Sequence, residues 1–187
     1  FTLFPYTTLF RSPARRPERP VAAQTFRLTR SAQPQITWFG HSTFLLQLEG
    51  KTILLDPIFS RSPSPFQMLG PQRFTPLAAT IAELPNIDMV LISHDHYDHL
   101  DYESIRQLAG KTAKFLVPLG LAAHLRRWGA RDEQIVELDW WNECDFDGFK
   151  FVCTPARHFS GRTLSDRFAT LWCSWVIKGS KTSVFFS

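Results

Sequence analysis

Residues 91–101 read LISHDHYDHLD. His94, His96, Asp98 and His99 are all of metal-ligand type, and three of the chain's six histidines fall within this one short stretch. The apolar run Met89–Ser93 that leads into it reads as a short strand. Two imidazoles spaced two residues apart where a strand runs out can point the same way, so His94 and His96 can reach one ion from a nearly rigid base. Asp98 and His99 follow around a turn and can address a second ion. Mixed imidazole and carboxylate ligation suits zinc, with iron or manganese as substitutes. Two ions ~3.5–4 Å apart can share a bridging hydroxide and clamp a hydrolysed group. A solvated polar turn would account for a lone HxH. The HxHxDH pattern directly after an apolar strand is much more specific.

Outward from the cluster, Asp101 stands three residues before Ser104 and opens a helix over DYESIRQLA, ended by Gly110. KFLVP reads as strand, LAAHLRRW as helix with His124 an ordinary member, and IVEL as strand. DGFKFVCTP and FATLWCSWVIKG read as longer strands, and KTSVFFS as another. Before the cluster, strands are expected at Ile36–Trp38, Thr43–Leu48 and Thr52–Leu55, with Glu49-Gly50-Lys51 as a hairpin turn. The segment IFSRSPSPFQMLGPQRFTP holds four prolines and no periodicity. It reads as a loop long enough to be functional. Strands alternate with helices between β-rich flanks, so the class is α/β or α+β, sheets with covering helices.

Further candidates lie outside the cluster. His158, in CTPARHFSGR, sits just past the strand ending near Thr154. Alone it would be an ordinary loop histidine, but beside the cluster it is the natural third ligand of the first ion. His41, in TWFGHSTFLL, is either a group that faces substrate or supports a ligand, or part of a structural turn. Asp56, in LLDP, either orients a ligand histidine or caps the turn with Pro57. The adjacent tryptophans of DWWNE, taken as strand residues, would point to opposite faces and read as core packing. Cys144, Cys153 and Cys173 form no CxxC pair and read as buried or idle thiols.

Apolar residues make up 44% of the chain, and no run approaches the ~18 needed to span a membrane. The formal charge is +4, but residues 1–33 carry six arginines against Glu18, so the remainder sums to −1. A near-neutral globular part with a basic tail counts against nucleic-acid processing. FTLFPYTTLFRS (residues 1–12) resembles the translation of a sequencing-adapter oligonucleotide, and PARRPERPVAAQ is expected to be a disordered lead-in. Residues 1–33 are therefore set apart from a domain over 34–187.

HDHYDH resembles the signature of the metallo-β-lactamase fold hydrolases. TWFGHSTFLL, LLDPIFS, SPSPFQMLGPQRF, ELPNIDMVLISHDHYDHLDYESI, FLVPLGL, VELDWWNE and TPARHFSGRTLSDRFATLWCSWVI together resemble the branch containing N-acyl-phosphatidylethanolamine-hydrolysing phospholipase D, from about Gln35 onward. The resemblance implies an αββα sandwich and two zinc ions, with iron or manganese possible. His94, His96 and His158 would hold the first ion, and Asp98 and His99 the second, with Asp98 also catalytic. It implies a phospholipase D-type phosphodiesterase that releases phosphatidic acid and an N-acylethanolamine. The loop around Ser64–Phe74, with Phe66 and Met68, would help line an entrance for acyl chains. Expected partners are a phospholipid or small-molecule substrate and a membrane surface, with no nucleic acid; the expected location is cytoplasmic or membrane-associated. The family pattern continues as FFxGDTG, whose Asp bridges the ions, with a later His. This sequence stops at KTSVFFS, so it reads as the N-terminal part of an incomplete sandwich, inactive as a fragment. The alternatives are a lactonase or other small-molecule hydrolase of the same fold, and a non-catalytic metal-binding domain.

Overall fold

The computed structural model describes residues 33–64, 73 and 75–187; the expected lead-in and most of the proline-rich loop, including Phe66 and Met68, lie outside them. The hairpin expected at Glu49-Gly50 joins β2 (Thr43–Leu48) to β3 (Lys51–Leu55), with Leu48 paired to Lys51. Both turn residues have positive φ, 49° and 79°, the twist that a two-residue hairpin needs. β1 (Gln35–Gly40) adds an antiparallel edge. Then β4 (Ile87–Leu91), β5 (Thr112–Pro118) and β6 (Ile135–Leu138) follow in parallel, giving the order β1-β2-β3-β4-β5-β6. Parallel neighbours need crossovers, and α1 (Tyr102–Leu108) and α2 (Ala122–Arg127) lie within the last two. A second, antiparallel sheet has the order β10-β9-β8-β7, from Ser183–Phe186, Ser174–Lys178, Phe149–Thr154 and Glu143–Phe146.

Alternation along the strands builds two cores from the first sheet. Leu54, Val90, Phe115 and Val117 join Ile105, Leu108, Leu121 and Leu125 under the helices. The opposite residues, Ile53, Leu55, Met89, Leu91 and Leu116, meet Phe149, Phe151, Cys153, Trp175 and Ile177 of the second sheet. Each such side chain, wholly removed from water, contributes about 2–3 kcal/mol. Trp175 satisfies its indole N–H on the Ile92 carbonyl at 3.0 Å, so the two sheets are also hydrogen-bonded where β4 ends. Helices cover the outer face of the first sheet, whereas among the described residues none covers that of the second, where Phe185 is 65% exposed. The described layers are therefore α, β and β, with an architecture dominated by sheets.

Several expectations shift. The first strand of the cluster is Ile87–Leu91, ending before Ser93. FATLWCSWVIKG is strand only from Ser174, because Leu171 and Cys173 donate their N–H groups to Leu119 and Ser93 of the other layer. DGFKFVCTP begins as a turn at Asp147-Gly148 (φ 52° and 86°), whose partner strand Glu143–Phe146 the sequence pattern does not announce. Trp140 and Trp141 occupy a turn, not a strand. Trp140 packs on the inter-sheet core and donates to the Trp172 carbonyl, while Trp141, at φ 69°, is exposed. The three cysteines are free thiols, Cys153 and Cys173 buried. No helix among the described residues is long and apolar enough to cross a membrane.

Two local devices yield tests. The buried Asp101 carboxylate caps α1 by accepting from the Ser104 N–H (3.2 Å) and hydroxyl, and it also accepts from the Ser60 N–H (3.3 Å). Asp101→Ala is expected to lower unfolding free energy by about 1–2 kcal/mol in denaturant titration. Glu49 accepts from the N–H groups of Ser180, Lys181 and Thr182 and from the Ser180 hydroxyl, tying the β2–β3 turn to the β9–β10 turn. The Ser180 hydroxyl and those N–H groups hold its carboxyl down at about 2, against an ordinary 4.5. A depressed folded value favours the folded state above pH about 4.5, and this contribution disappears as pH falls toward 2. NMR titration of the Glu49 side-chain carboxyl is expected to show a midpoint near 2.

Candidate metal centre

β4 ends at Leu91, and the chain then runs through His94 into a tight turn in which His99 and Leu100 donate to the His96 carbonyl at 3.0 and 2.8 Å. His158 arrives from the loop after β8, with its N–H on the Ala156 carbonyl (3.0 Å). Three ring nitrogens meet there: His94 Nε2 lies 2.9 Å from His96 Nδ1 and 3.0 Å from His158 Nε2, which is 3.2 Å from His96 Nδ1. Nitrogens at 2.0–2.1 Å from a tetrahedral zinc stand roughly 3.3 Å apart. This donor triangle therefore has the size and chemistry to hold such an ion. Beside it, His41, Asp98 and His99 form a second group, and in each group the ligand atoms lie within 4.8 Å of one another. The His94 and His99 rings, one from each group, have centroids 4.1 Å apart.

Asp56 sets the protons of this site. It is fully buried at the end of β3, with φ 39°, and its carboxylate accepts from the Ser93 N–H (2.7 Å), the Ser93 hydroxyl (2.6 Å) and His99 Nδ1 (2.7 Å). An ionised carboxylate only accepts, so the Ser93 hydroxyl proton and the His99 Nδ1 proton both point at it. Ser93 Oγ, its proton committed, accepts from His94 Nδ1 at 2.9 Å. Both histidines thereby carry hydrogen on Nδ1, which in the neutral ring leaves Nε2 bare. Asp56 thus contacts His99 directly and His94 through Ser93.

The charges follow from this packing. Burial first, then the neighbouring histidines, drive His94 down to about 2, so it is neutral at ordinary pH. His96 and His158 are lowered for the same reasons, burial again leading. Burial also pulls at His99, but its bond to Asp56 and the charges of Asp56 and Asp98 carry it above its usual value. Burial pushes the Asp98 carboxyl up, yet the hydrogen bond from His41 and the charge of His99 outweigh it and hold it below the usual carboxylate range.

His41 lies in the turn between β1 and β2, at φ 50°, with Nε2 2.9 Å from Asp98 Oδ2. It is thus both a turn residue and a partner of the cluster. His124, in α2, stands apart from both groups, its ring tilted against that of Trp128 with centroids 5.4 Å apart. Sequence reasoning passed over Asp95, Ser93 and Arg162. Asp95, between the two ligand-type histidines, points away from them and accepts from the Gly161 N–H (2.7 Å) and the Thr170 hydroxyl (3.0 Å). Arg162 donates to the carbonyls of Asp95 (2.6 Å) and Leu100 (2.8 Å) and lies over the Tyr97 ring at 4.0 Å. Together they clamp the His158 loop onto the HDHYDH turn. The available signal was the alternation itself, which turns Asp95 to the side opposite His94 and His96.

Comparison with known proteins agrees with this architecture. The model of the β-lactamase superfamily domain matches residues 51–187. An uncharacterized protein of Mycobacterium tuberculosis (strain H37Rv) is 46% identical over 179 residues, 94% of this chain and 48% of its own length. N-acyl-phosphatidylethanolamine-hydrolyzing phospholipase D 1 of Caenorhabditis elegans is 33% identical over 159 residues, 80% of this chain and 45% of its own. The crystal structure of CmlA, a diiron β-hydroxylase from Streptomyces venezuelae, superposes with a TM-score of 0.59 at 27% identity, covering 82% of this chain and 29% of that one. The chain spans about half the length of the curated relatives it matches. Matched along most of its length, and folded as the matched architecture requires, the chain belongs to the β-lactamase superfamily domain family.

Proposed function

We propose that the protein is a metal-dependent hydrolase, and within that class a phosphodiesterase acting on N-acyl-phosphatidylethanolamine-like lipids. The observation that carries the reading is the triangle of ring nitrogens from His94, His96 and His158, with edges of 2.9–3.2 Å. These residues would hold one ion, and Asp98 and His99 would contribute to a second. Zinc fits the donor set, and the likeness to a diiron enzyme makes iron the alternative. The chemistry supplied by ions bound there is Lewis-acid polarisation of the scissile group and activation of water.

The chain's own residues do the rest. Asp56 and Ser93 keep His94 and His99 in the tautomer that leaves Nε2 free. Asp98, held ionised, faces the same space and is placed to accept a proton from the attacking water. Asp95 and Arg162 keep His158 in register with its partners.

Support for a lipid substrate comes from the surface beside the cluster. Phe159 meets His96 edge to face, with centroids 4.7 Å apart, and the aromatic contacts continue through Phe168 to Trp172, with Phe159 and Phe168 both substantially exposed. Arg167 lies over Phe159 and Phe168 at 5.0 and 4.8 Å. An aromatic ledge topped by a guanidinium offers apolar contact and a cation within one short segment, which is complementary to an acylated phosphodiester. The C. elegans relative, named for that hydrolysis, supports the same choice. Contact with a membrane surface belongs to this reading.

Metal-loaded protein, at the length of its relatives, is to be assayed on N-acyl-phosphatidylethanolamine, a generic phosphodiester and a lactone. Phosphatidic acid is the expected product; lactone opening without diester cleavage would transfer the function to a lactonase of the same fold. Metal content measured by mass spectrometry is expected to fall after chelation, and His158→Ala is expected to weaken the first equivalent by more than about a hundredfold. Asp56→Asn, which removes one of the acceptors fixing the tautomers, is expected to weaken metal binding about ten- to a hundredfold in competition titrations with a chromophoric chelator.

A further inference from the structure

The loops around the metal centre carry apolar side chains that the core does not use. β4, β5 and β6 run parallel, so the chain leaves all three at one edge of the first sheet, where His94 stands. The loop after β5 holds Leu119 and the loop after β6 holds Trp141. The loop after β8, which delivers His158, holds Phe159, Leu164 and Phe168, and all five side chains are exposed. We propose that this rim is a docking surface for a lipid–water interface, which seats the mouth of the metal centre against the membrane. The proposal rests on the lipid reading above and names the element that makes the contact.

The fold holds these side chains out in water. Trp141 and Phe168 adopt left-handed conformations, φ 69° and 63°, and each is more than half exposed. Bulky residues rarely take that conformation, and it persists where the surroundings over-determine it, often at sites of ligand contact. Trp141 is held by its N–H on the Cys153 carbonyl (2.6 Å) and by Trp140, packed on the inter-sheet core. Phe168 is held by its N–H on the Ser160 carbonyl (3.0 Å), and the Ser160 hydroxyl closes the base of the loop on the Thr170 carbonyl (2.5 Å). Within the loop, the Asp166 carboxylate accepts from the Arg162 and Thr163 N–H groups at 2.9 and 2.7 Å. Leu164, on this braced segment, is as accessible as in an open chain.

The chemistry of the rim favours lipid over protein. Arg157 and Arg167 are exposed in the same loop, and Arg167 lies over the Phe159 and Phe168 rings. The acids there are turned onto backbone, Asp166 as above and Asp139 onto the Trp140 N–H (2.7 Å). Apolar side chains interleaved with arginines match acyl chains beneath a layer of phosphate headgroups. Phe159 meets His96, so the rim opens directly on the metal centre. A protein seated there would close that mouth, whereas a lipid interface would supply it.

The metal-loaded full chain is to be sedimented with vesicles of phosphatidylcholine, alone and mixed with phosphatidylserine. The wild type is expected to bind both, and the anionic mixture more tightly. Leu164→Ser and Trp141→Gly are each expected to weaken binding to either vesicle about tenfold. Arg167→Gln is expected to cost about fivefold on the anionic vesicles alone and to flatten their salt dependence. Glycine suits a left-handed position, so Trp141→Gly is expected to keep its melting temperature, which separates docking from folding. Absence of wild-type binding, or equal binding by the Leu164→Ser/Trp141→Gly double variant, would overturn the proposal. So would a lipid-free dimer in sedimentation velocity that the double variant dissolves, since the rim would then join copies of this chain. Diester cleavage with vesicle binding independent of the rim would refute the surface and leave the proposed function standing. Rim-dependent binding with lactone opening alone would do the reverse.

Discussion

The site depends on one buried carboxylate. Asp56 has no exposure to water and takes three donors, from the Ser93 backbone, the Ser93 hydroxyl and His99. A carboxylate removed from water is costly unless its lone pairs are filled, and here the groups that fill them prepare the histidines. The parallel pairing of β3 with β4 brings Asp56, one residue beyond paired Leu55, beside Ser93, two residues beyond its partner Leu91. The Asp56 N–H extends that pairing by one step onto the Leu91 carbonyl at 3.0 Å. Sheet register is therefore what determines which ring nitrogens are left bare.

How much of this was legible in the sequence differs by feature, for physical reasons. The β2–β3 hairpin, α1 and the HDHYDH turn are decided by neighbours a few residues apart, and they were readable. His158 was readable because an isolated loop histidine gains meaning once a ligand cluster exists. The strand Glu143–Phe146 was not, since it is a short edge strand whose partner, β8, supplies most of the apolar signal. The stretch from Phe168 to Cys173 looked like strand because it is apolar. Its backbone bonds go instead to Ser93, Leu119 and Ser160, and local pattern cannot foresee such partners. The contact between His41 and Asp98 joins turns 57 residues apart, so residue type alone could not decide between its alternatives.

The same distinction applies to the groups that support the site. Asp95 and Arg162 sit in plain view within quoted motifs, yet their role appears only when the His158 loop folds back over the HDHYDH turn. Most of their hydrogen-bond partners are other segments' backbone groups, which carry no sequence signature. A burial pattern identifies the core of this protein well, because hydrophobic contacts are tolerant of detail. Polar clamps are specific and non-local, and they stay hidden until the layers meet.

Placement of the first ligand group has a mechanical consequence. His94 and His96 belong to the edge of one sheet, and His158 to a loop leaving the other. An ion held by all three would act as a rivet between the layers, closing a chain loop of more than sixty residues much as a covalent cross-link does. Binding only to the assembled form, it would stabilise that form by mass action. The chemistry of the centre and the cohesion of the sandwich would then share one element: conditions that strip the metal would slacken the seam between the two layers.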